Sequence, residues 1–358
     1  MTRQDQTIED HRDDPDHDVE AIANAARCPT SQDEKSARRR LIAERRLIVR
    51  GIHVPFAAQE ELEDALDEAM DAVPGLREAG LPAPTLSALA DSFSGKTSRA
   101  KRYIRNYYAN NEIEPGTVPI AYVKLDTDGT LGSLATDILI GTGEKRPASL
   151  TPANRWNRAR QSIKDRKVSL MVFDEFQRAG RRPTLSPVIA GRILDIVDDG
   201  DCACAFVGKK DADRIFAACP DLENRLDAPV HMPRLRWSTD ADEFMQFARE
   251  FDKALVAAGV TRIMSGLGRK QTAQLLLEAS NGLIGQFSRI VETAVIMITR
   301  EGNDVITQRD LSDAVEEWSI GNGRIGYNPF ATGVKNDQPV EAEMAEEHDD
   351  DEQMDAKA

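Results

Sequence analysis

Apolar positions along the chain follow two regimes. From Pro84 to Val207, short apolar runs alternate with stretches of helical spacing; from Asp240 onward the spacing is helical only. Four apolar runs in the first regime predict strands: Thr85 to Ala90, Val118 to Leu125, Val168 to Phe173 and Ala203 to Val207. Helices are expected from Lys96 to about Tyr108, Leu131 to Ile140, Pro152 to Ile163 and Ser186 to Val197. Strands alternating with helices imply a parallel sheet covered on both faces. A fifth strand is expected after Arg225. The second regime predicts helices at Ala241 to Ala257, Gln271 to Ala279, Leu283 to Thr299 and Leu311 to Trp318, with Thr307 and Asp310 as a capping box.

Ahead of the sheet, Lys35 to Arg50 interleaves basic residues with Leu41, Ile42, Leu47 and Ile48, the pattern of an amphipathic helix. Leu62, Leu66, Ala69 and Met70 place a second helix at Gln59 to Val73, and Pro74, Gly75, Gly80, Pro82 and Pro84 are expected to break the chain after it. The resulting division is an acidic tail (1–34), a helical segment (35–83), an α/β domain (84–238), a helical domain (239–320) and a second acidic tail (321–358).

Charge changes this picture in one respect. The formal net charge of the 358 residues is -15. Residues 1–34 hold 3 basic and 10 acidic side chains, and residues 336–358 hold 1 and 10, so the tails carry -7 and -9. The remainder is near +1. The tails read as disordered, serving solubility or tethering a partner protein. The near-neutral remainder leaves a DNA partner open. No apolar run is long enough to span a membrane, and the polar N-terminus is no secretory signal. Four cysteines (Cys28, Cys202, Cys204, Cys219) are few and irregularly spaced, which suits a reduced cytoplasm.

The first chemistry lies at Ala90-Asp91-Ser92-Phe93-Ser94-Gly95-Lys96-Thr97. This is a phosphate-binding loop of the form GxxxxGK[ST], with alanine at the first glycine. It sits between a strand and a helix, as the motif requires. Backbone N–H groups of such a loop cradle phosphates, the lysine reaches the β and γ oxygens, and the threonine hydroxyl goes to Mg²⁺. Ser92, Ser94, Gly95, Lys96, Thr97 and Ser98 are the candidate ATP-binding residues. The third apolar run ends in Asp174-Glu175, the Walker B pattern. Asp174 would hold Mg²⁺ with Thr97, and Glu175 would orient and polarise the attacking water. Two solvated acids closing a strand are the plainer alternative.

Three further residues are candidates. Lys209, after the fourth strand, stands where a polar sensor of the γ-phosphate is usual, although Asn or Thr is the common choice there. Arg225 could enter a neighbouring subunit's site as an arginine finger, or form a surface ion pair with Glu223 or Asp227. Arg289, on a helix of the second domain, could reach a phosphate across the cleft. For electrostatic DNA binding the candidates are Lys101, Arg102, Arg105, Lys124 and the segment from Arg38 to Arg46.

Taken together, the chain resembles the TniB-like AAA+ transposition ATPases, relatives of the TnsC regulators, over about residues 38–320. The carriers are Arg50-Gly51-Ile52-His53-Val54-Pro55, Ser94-Gly95-Lys96-Thr97, Ile120 to Leu125, Val172-Phe173-Asp174-Glu175-Phe176-Gln177 and Glu223-Asn224-Arg225. The resemblance implies an AAA+ P-loop NTPase with a small helical lid, dependent on ATP and Mg²⁺. It implies subunits assembling as an oligomer or filament on double-stranded DNA in a bacterial cytoplasm, and contacts with a transposase and a TniQ-like targeting adaptor. Ala90 and Gly208-Lys209 depart from the family pattern and point to slow hydrolysis. A scaffold that binds ATP without turning it over, and a P-loop phosphotransferase, are the competing readings.

Overall fold

The computed structural model of the chain describes residues 31–126, 128–145 and 151–335. Residues 1–30, with Cys28, and 336–358 lie outside the described residues, and with them most of both acidic tails. The elements are α1 (Ser31–Gly51), α2 (Ala57–Glu78), β1 (Thr85–Leu89), α3 (Lys96–Asn110), β2 (Ile120–Lys124), α4 (Leu131–Gly141), α5 (Pro152–Asp165), β3 (Leu170–Asp174), α6 (Ser186–Asp198) and β4 (Ala203–Gly208). There follow α7 (Asp213–Ala217), α8 (Pro220–Glu223), α9 (Trp237–Ala257), α10 (Lys270–Ala279), α11 (Ile284–Glu301), α12 (Gln308–Ala314), running on as a π-helical turn to Ile320, and α13 (Pro329–Thr332).

The four strands form one parallel sheet in the order β1-β4-β3-β2. Side-chain alternation along each strand feeds two cores. Met171, Phe173, Cys204, Phe206, Ala121 and Val123 pack under α4, α5 and α6. Leu170, Val172, Ala203, Ala205, Leu86 and Ala88 pack against α2 and α3. Both faces are covered, which is why these strands read as nearly unbroken apolar runs. Phe176 packs at a tilt on Phe206 at 4.6 Å and stacks with Phe216 at 5.3 Å, closing the first core beneath the end of β3. Cys202 and Cys204 are buried packing residues of that core.

The helical region has its own core, built on Phe244, Phe247, Phe251 and Phe287. Val49, Val54 and Phe56 belong to it, while Leu62, Leu66 and Val73 belong to the sheet. The segment 35–83 is therefore split: α1 lies on the helical region and α2 on the sheet. Among the described residues no single helix is long and apolar enough to cross a membrane.

Four local expectations change. No fifth strand forms among the described residues. Residues 227–230 run beside β1, where Val230 N donates to Ser87 O at 2.8 Å and the Asp227 carboxylate accepts from Thr85 N at 3.0 Å. Pro229 lacks an N–H, so a regular ladder cannot continue. Pro74 and Gly75 do not stop α2, which runs on to Glu78. The buried Val73 and a contact from Arg77 to Gly200 O hold the last turn. The helix ends instead at Gly80 (φ +66), with Leu81 N bonded back to Leu76 O at 2.9 Å. α1 begins at Ser31, and residues 321–335 pack rather than trail: Asn328 is buried and caps α13.

Candidate nucleotide site

The carboxyl ends of all four strands lie level, with Leu89 beside Gly208, Val207 beside Asp174 and Asp174 beside Lys124. In an open parallel sheet this edge is where ligands bind. The loop after β1 crosses it. Ala90 is buried, its φ is not positive, and its N–H donates to Gly208 O at 3.0 Å. Alanine therefore fits where the motif has glycine. Gly95 is different. Its φ is +93, and a Cβ there would stand 2.2 Å from Gln59 Nε2, so only glycine fits.

Several features of the loop fit a bound phosphate. Gly95 caps α3 without any side-chain hydrogen bond, and the first turn holds no acid, so the leading N–H groups are left for an anion. Ser94 Oγ is buried without a partner. Lys96 Nζ folds back onto Ala90 O and Asp91 O, both at 2.9 Å. Burial pushes its pKa below the usual lysine value, against the opposing pull of Asp174, Glu175 and Asp91. A triphosphate would supply the charge that this lysine lacks. Ser92 and Ser98 are exposed; Ser98 lines the cavity and Ser92 does not.

Thr97 Oγ1 donates to Asp174 Oδ1 at 2.8 Å, so the two candidate metal ligands meet. Tyr122 OH, on β2, donates to the other carboxylate oxygen at 2.5 Å. Burial and this bond push the Tyr122 pKa up, so the phenol remains a donor. Asp174 is thus aimed by two hydroxyls. Among the described residues no group of three His, Cys, Asp or Glu could hold a metal unaided. Mg²⁺ at this pair would take its further ligands from phosphate oxygens and water, as it commonly does.

Glu175 has left-handed backbone (φ 57, ψ 39). Its Oε2 accepts from Gln177 Nε2 at 2.9 Å and lies 3.6 Å from Arg178 Nε. Gln177 Oε1 in turn accepts from Lys209 N at 3.0 Å. A Cβ at Gly208 would stand 2.7 Å from that Oε1. The missing side chain at Gly208 is therefore what admits the Gln177 amide. Lys209 itself is exposed, near enough for its charge to oppose that of Lys96.

A cavity of about 480 Å³ opens from the loop between the sheet and the helical region. Lys96, Thr97 and Ser98 line one part; Val49, Ile52, Val54, Phe247, Phe251 and Ile284 give it apolar walls. Its size and mixed lining are those of a small-ligand site. The Phe93 carbonyl accepts from Gly285 N at 2.9 Å, and the Phe93 ring meets Trp318 edge-on at 5.9 Å. Arg234 Nε donates to Asp91 at 2.7 Å. The phosphate loop is therefore anchored to the helical lid. Arg289 lines the cavity, but its guanidinium is held by Glu292 at 2.8 Å. Glu292 is buried and also receives Arg46 and Arg50 from α1.

The remaining candidates lie apart. Arg225 pairs with Asp198 at 2.8 Å, not with Glu223 or Asp227. Its carbonyl accepts from Thr85 Oγ1, at the end of β1 opposite the loop, so it serves no site in its own subunit. Lys101 and Arg105 are exposed on α3, Arg102 is half-buried, and Lys124 is exposed at the end of β2. Lys101 also lies over the Tyr122 ring at 5.1 Å. Arg38, Arg45 and Arg46, offered as DNA contacts, are engaged with the lid: Arg38 donates to Arg300 O, Arg45 to Thr299, and Arg46 pairs with Glu292.

Sheet order, strand–loop–helix phosphate site and helical lid define an AAA+ P-loop NTPase fold. Residues 46–238, more than half of the chain, match the family described as bacterial TniB protein, and the chain belongs to that family. Among solved structures, Cdc6p from Pyrobaculum aerophilum is similar at 16% identity and TM-score 0.55, covering 75% of this chain and 70% of its own. The Aeropyrum pernix ORC1 protein, solved in complex with DNA, is similar at 14% identity and TM-score 0.52, covering 76% and 69%. The ORC2 protein of the same organism, solved in ADPNP-ADP complexes, matches at 14% identity and TM-score 0.50, covering 71% and 67%. No curated protein matches the chain in sequence.

Proposed function

We propose that the chain binds ATP with Mg²⁺ in the cavity between sheet and lid, and that ATP joins subunits on duplex DNA, where they engage a transposase. The observation that carries the nucleotide reading is the meeting of Thr97 and Asp174 at 2.8 Å beside a buried lysine and an uncapped helix start. Lys96 and the loop N–H groups would hold the phosphates, Thr97 and Asp174 the metal, and Glu175 the water. Bound Mg²⁺ supplies charge neutralisation as the phosphoryl group departs. Membership of the TniB family supports the transposition context, including contact with a TniQ-like adaptor. The ORC1 relative's DNA complex is in keeping with a duplex partner.

One observation favours a slower enzyme, or a scaffold that keeps its ATP. Gln177 and Arg178 both hold Glu175, and no side chain at Gly208 reaches toward the γ-phosphate. The experiment is ATP titration of wild type and Lys96→Ala by calorimetry. The variant is expected to fold and lose at least a hundredfold in affinity, about what a charge-assisted contact to two phosphates is worth. Equal affinity would remove Lys96 and the loop from the account.

A further inference from the structure

His53 lies in the loop between α1 and α2 and lines the same cavity as Lys96 and Thr97. Its Nε2 is in hydrogen-bonding contact with Arg99 Nη1. A guanidinium has no acceptor, so the arginine donates and Nε2 carries no proton. In a neutral imidazole the proton then sits on Nδ1, which is a donor. Arg99 is itself fixed. It is buried, donates to Gln59 O at 3.2 Å and is paired with Glu63 at 2.6 Å. Ring, tautomer and position are thus set by α3 and α2. Among the described residues no other group takes up the Nδ1–H.

The neighbouring walls, Val49, Ile52, Val54 and Ile284, are apolar and suit a flat base rather than a phosphate. Resting on the ATP reading above, we propose that His53 is a specificity-determining residue that reads the nucleobase by donating Nδ1–H to an unprotonated ring nitrogen of adenine. Burial, with the nearby Arg102 and Arg99 charges, lowers the His53 pKa to about 4, so the ring stays neutral in ordinary buffers. Arg99 is then a positioning residue, acting on the base through His53.

The test is calorimetric titration of the full chain with ATP, 1-deaza-ATP, 3-deaza-ATP, 7-deaza-ATP and 2′-deoxy-ATP. Each deaza analogue replaces one ring nitrogen by C–H. Wild type should lose about three- to tenfold in affinity for one deaza analogue, the size of one neutral hydrogen bond. His53→Ala should bind ATP and that analogue equally. His53→Gln keeps an acceptor for Arg99 and a donor for the base, and should restore part of the discrimination. Melting curves for both variants separate a lost contact from a lost fold. Equal binding of all three deaza analogues by wild type overturns the proposal while leaving the ATP reading intact. So does a loss confined to 2′-deoxy-ATP, which would assign the contact to the ribose. Absence of ATP binding by folded wild type overturns both.

Discussion

The Glu175 carboxylate is held on two sides, by the Gln177 amide and the Arg178 guanidinium. If it polarises water, Glu175→Gln keeps ATP affinity and lowers turnover about a hundredfold or more. Gln177→Ala frees the carboxylate from one of its two holds and should raise turnover. Phosphate release from wild type and both variants checks this; equal rates in all three would leave the scaffold reading standing. A second residue gives a pH signature. Burial raises the Asp137 pKa to about 6, with the Asp126 and Asp128 charges adding to it, against the Asp126 N–H bond and Arg178. The folded state holds this proton more tightly than the unfolded state, so Asp137 costs stability increasingly as pH rises from about 4 to 6. Asp137→Asn should therefore raise the melting temperature at pH 8 and change it little at pH 4. A larger gain at the acid end would reverse the assignment. Lys96, Thr97, Asp174 and Glu175 were legible in sequence because strand, motif and helix are contiguous. His53, Gln177 and Glu292 were not: each acts through partners that the fold brings from elsewhere, such as Arg99, Gly208 and Arg50.

Elements show the same division. The strand–loop–helix around residue 95 is written in local periods and turn chemistry, and so is the Thr307–Asp310 capping box. The split of the N-terminal helices is not, since an amphipathic pattern specifies a buried face without naming its cover. Leu41 to Val49 could have faced either domain. The structure turns α1 to the lid by gathering Arg46, Arg50 and Arg289 on Glu292. Glu292→Gln leaves three guanidinium groups around a neutral amide. Arg46 and Arg50 are about half exposed, so solvent screens much of the loss. A cost of about 1–3 kcal/mol is expected. Thermal melts with and without ATP measure it, and an unchanged melting temperature would show that apolar packing alone seats α1. The expected fifth strand does not form because Pro229 and Pro233 cannot donate to a ladder.

For the whole molecule, one subunit presents few basic groups to DNA. Lys101, Arg102, Arg105 and Lys124 stay available, with the exposed Arg39 and Arg40 of α1, whereas Arg38, Arg45 and Arg46 serve the lid. Binding should accordingly be weak per subunit, steeply salt-dependent and insensitive to sequence. Filter binding over a salt series on unrelated duplexes tests this; tight salt-insensitive binding by single subunits would contradict it. Arg225 faces away from its own loop, so a catalytic role for it requires a neighbour. Mixing Arg225→Ala with Glu175→Gln should then restore some turnover, because a mixed interface pairs one intact Glu175 with one intact Arg225. Normal hydrolysis by Arg225→Ala alone would exclude the finger.

The central claim is that ATP in the cavity joins subunits on DNA. Electron microscopy of the full chain with duplex DNA tests it most directly, comparing ATP, ADP and no nucleotide for wild type and Lys96→Ala. The account predicts multi-subunit assemblies on DNA only for wild type with ATP. Equal assemblies without nucleotide, or with Lys96→Ala, would contradict it.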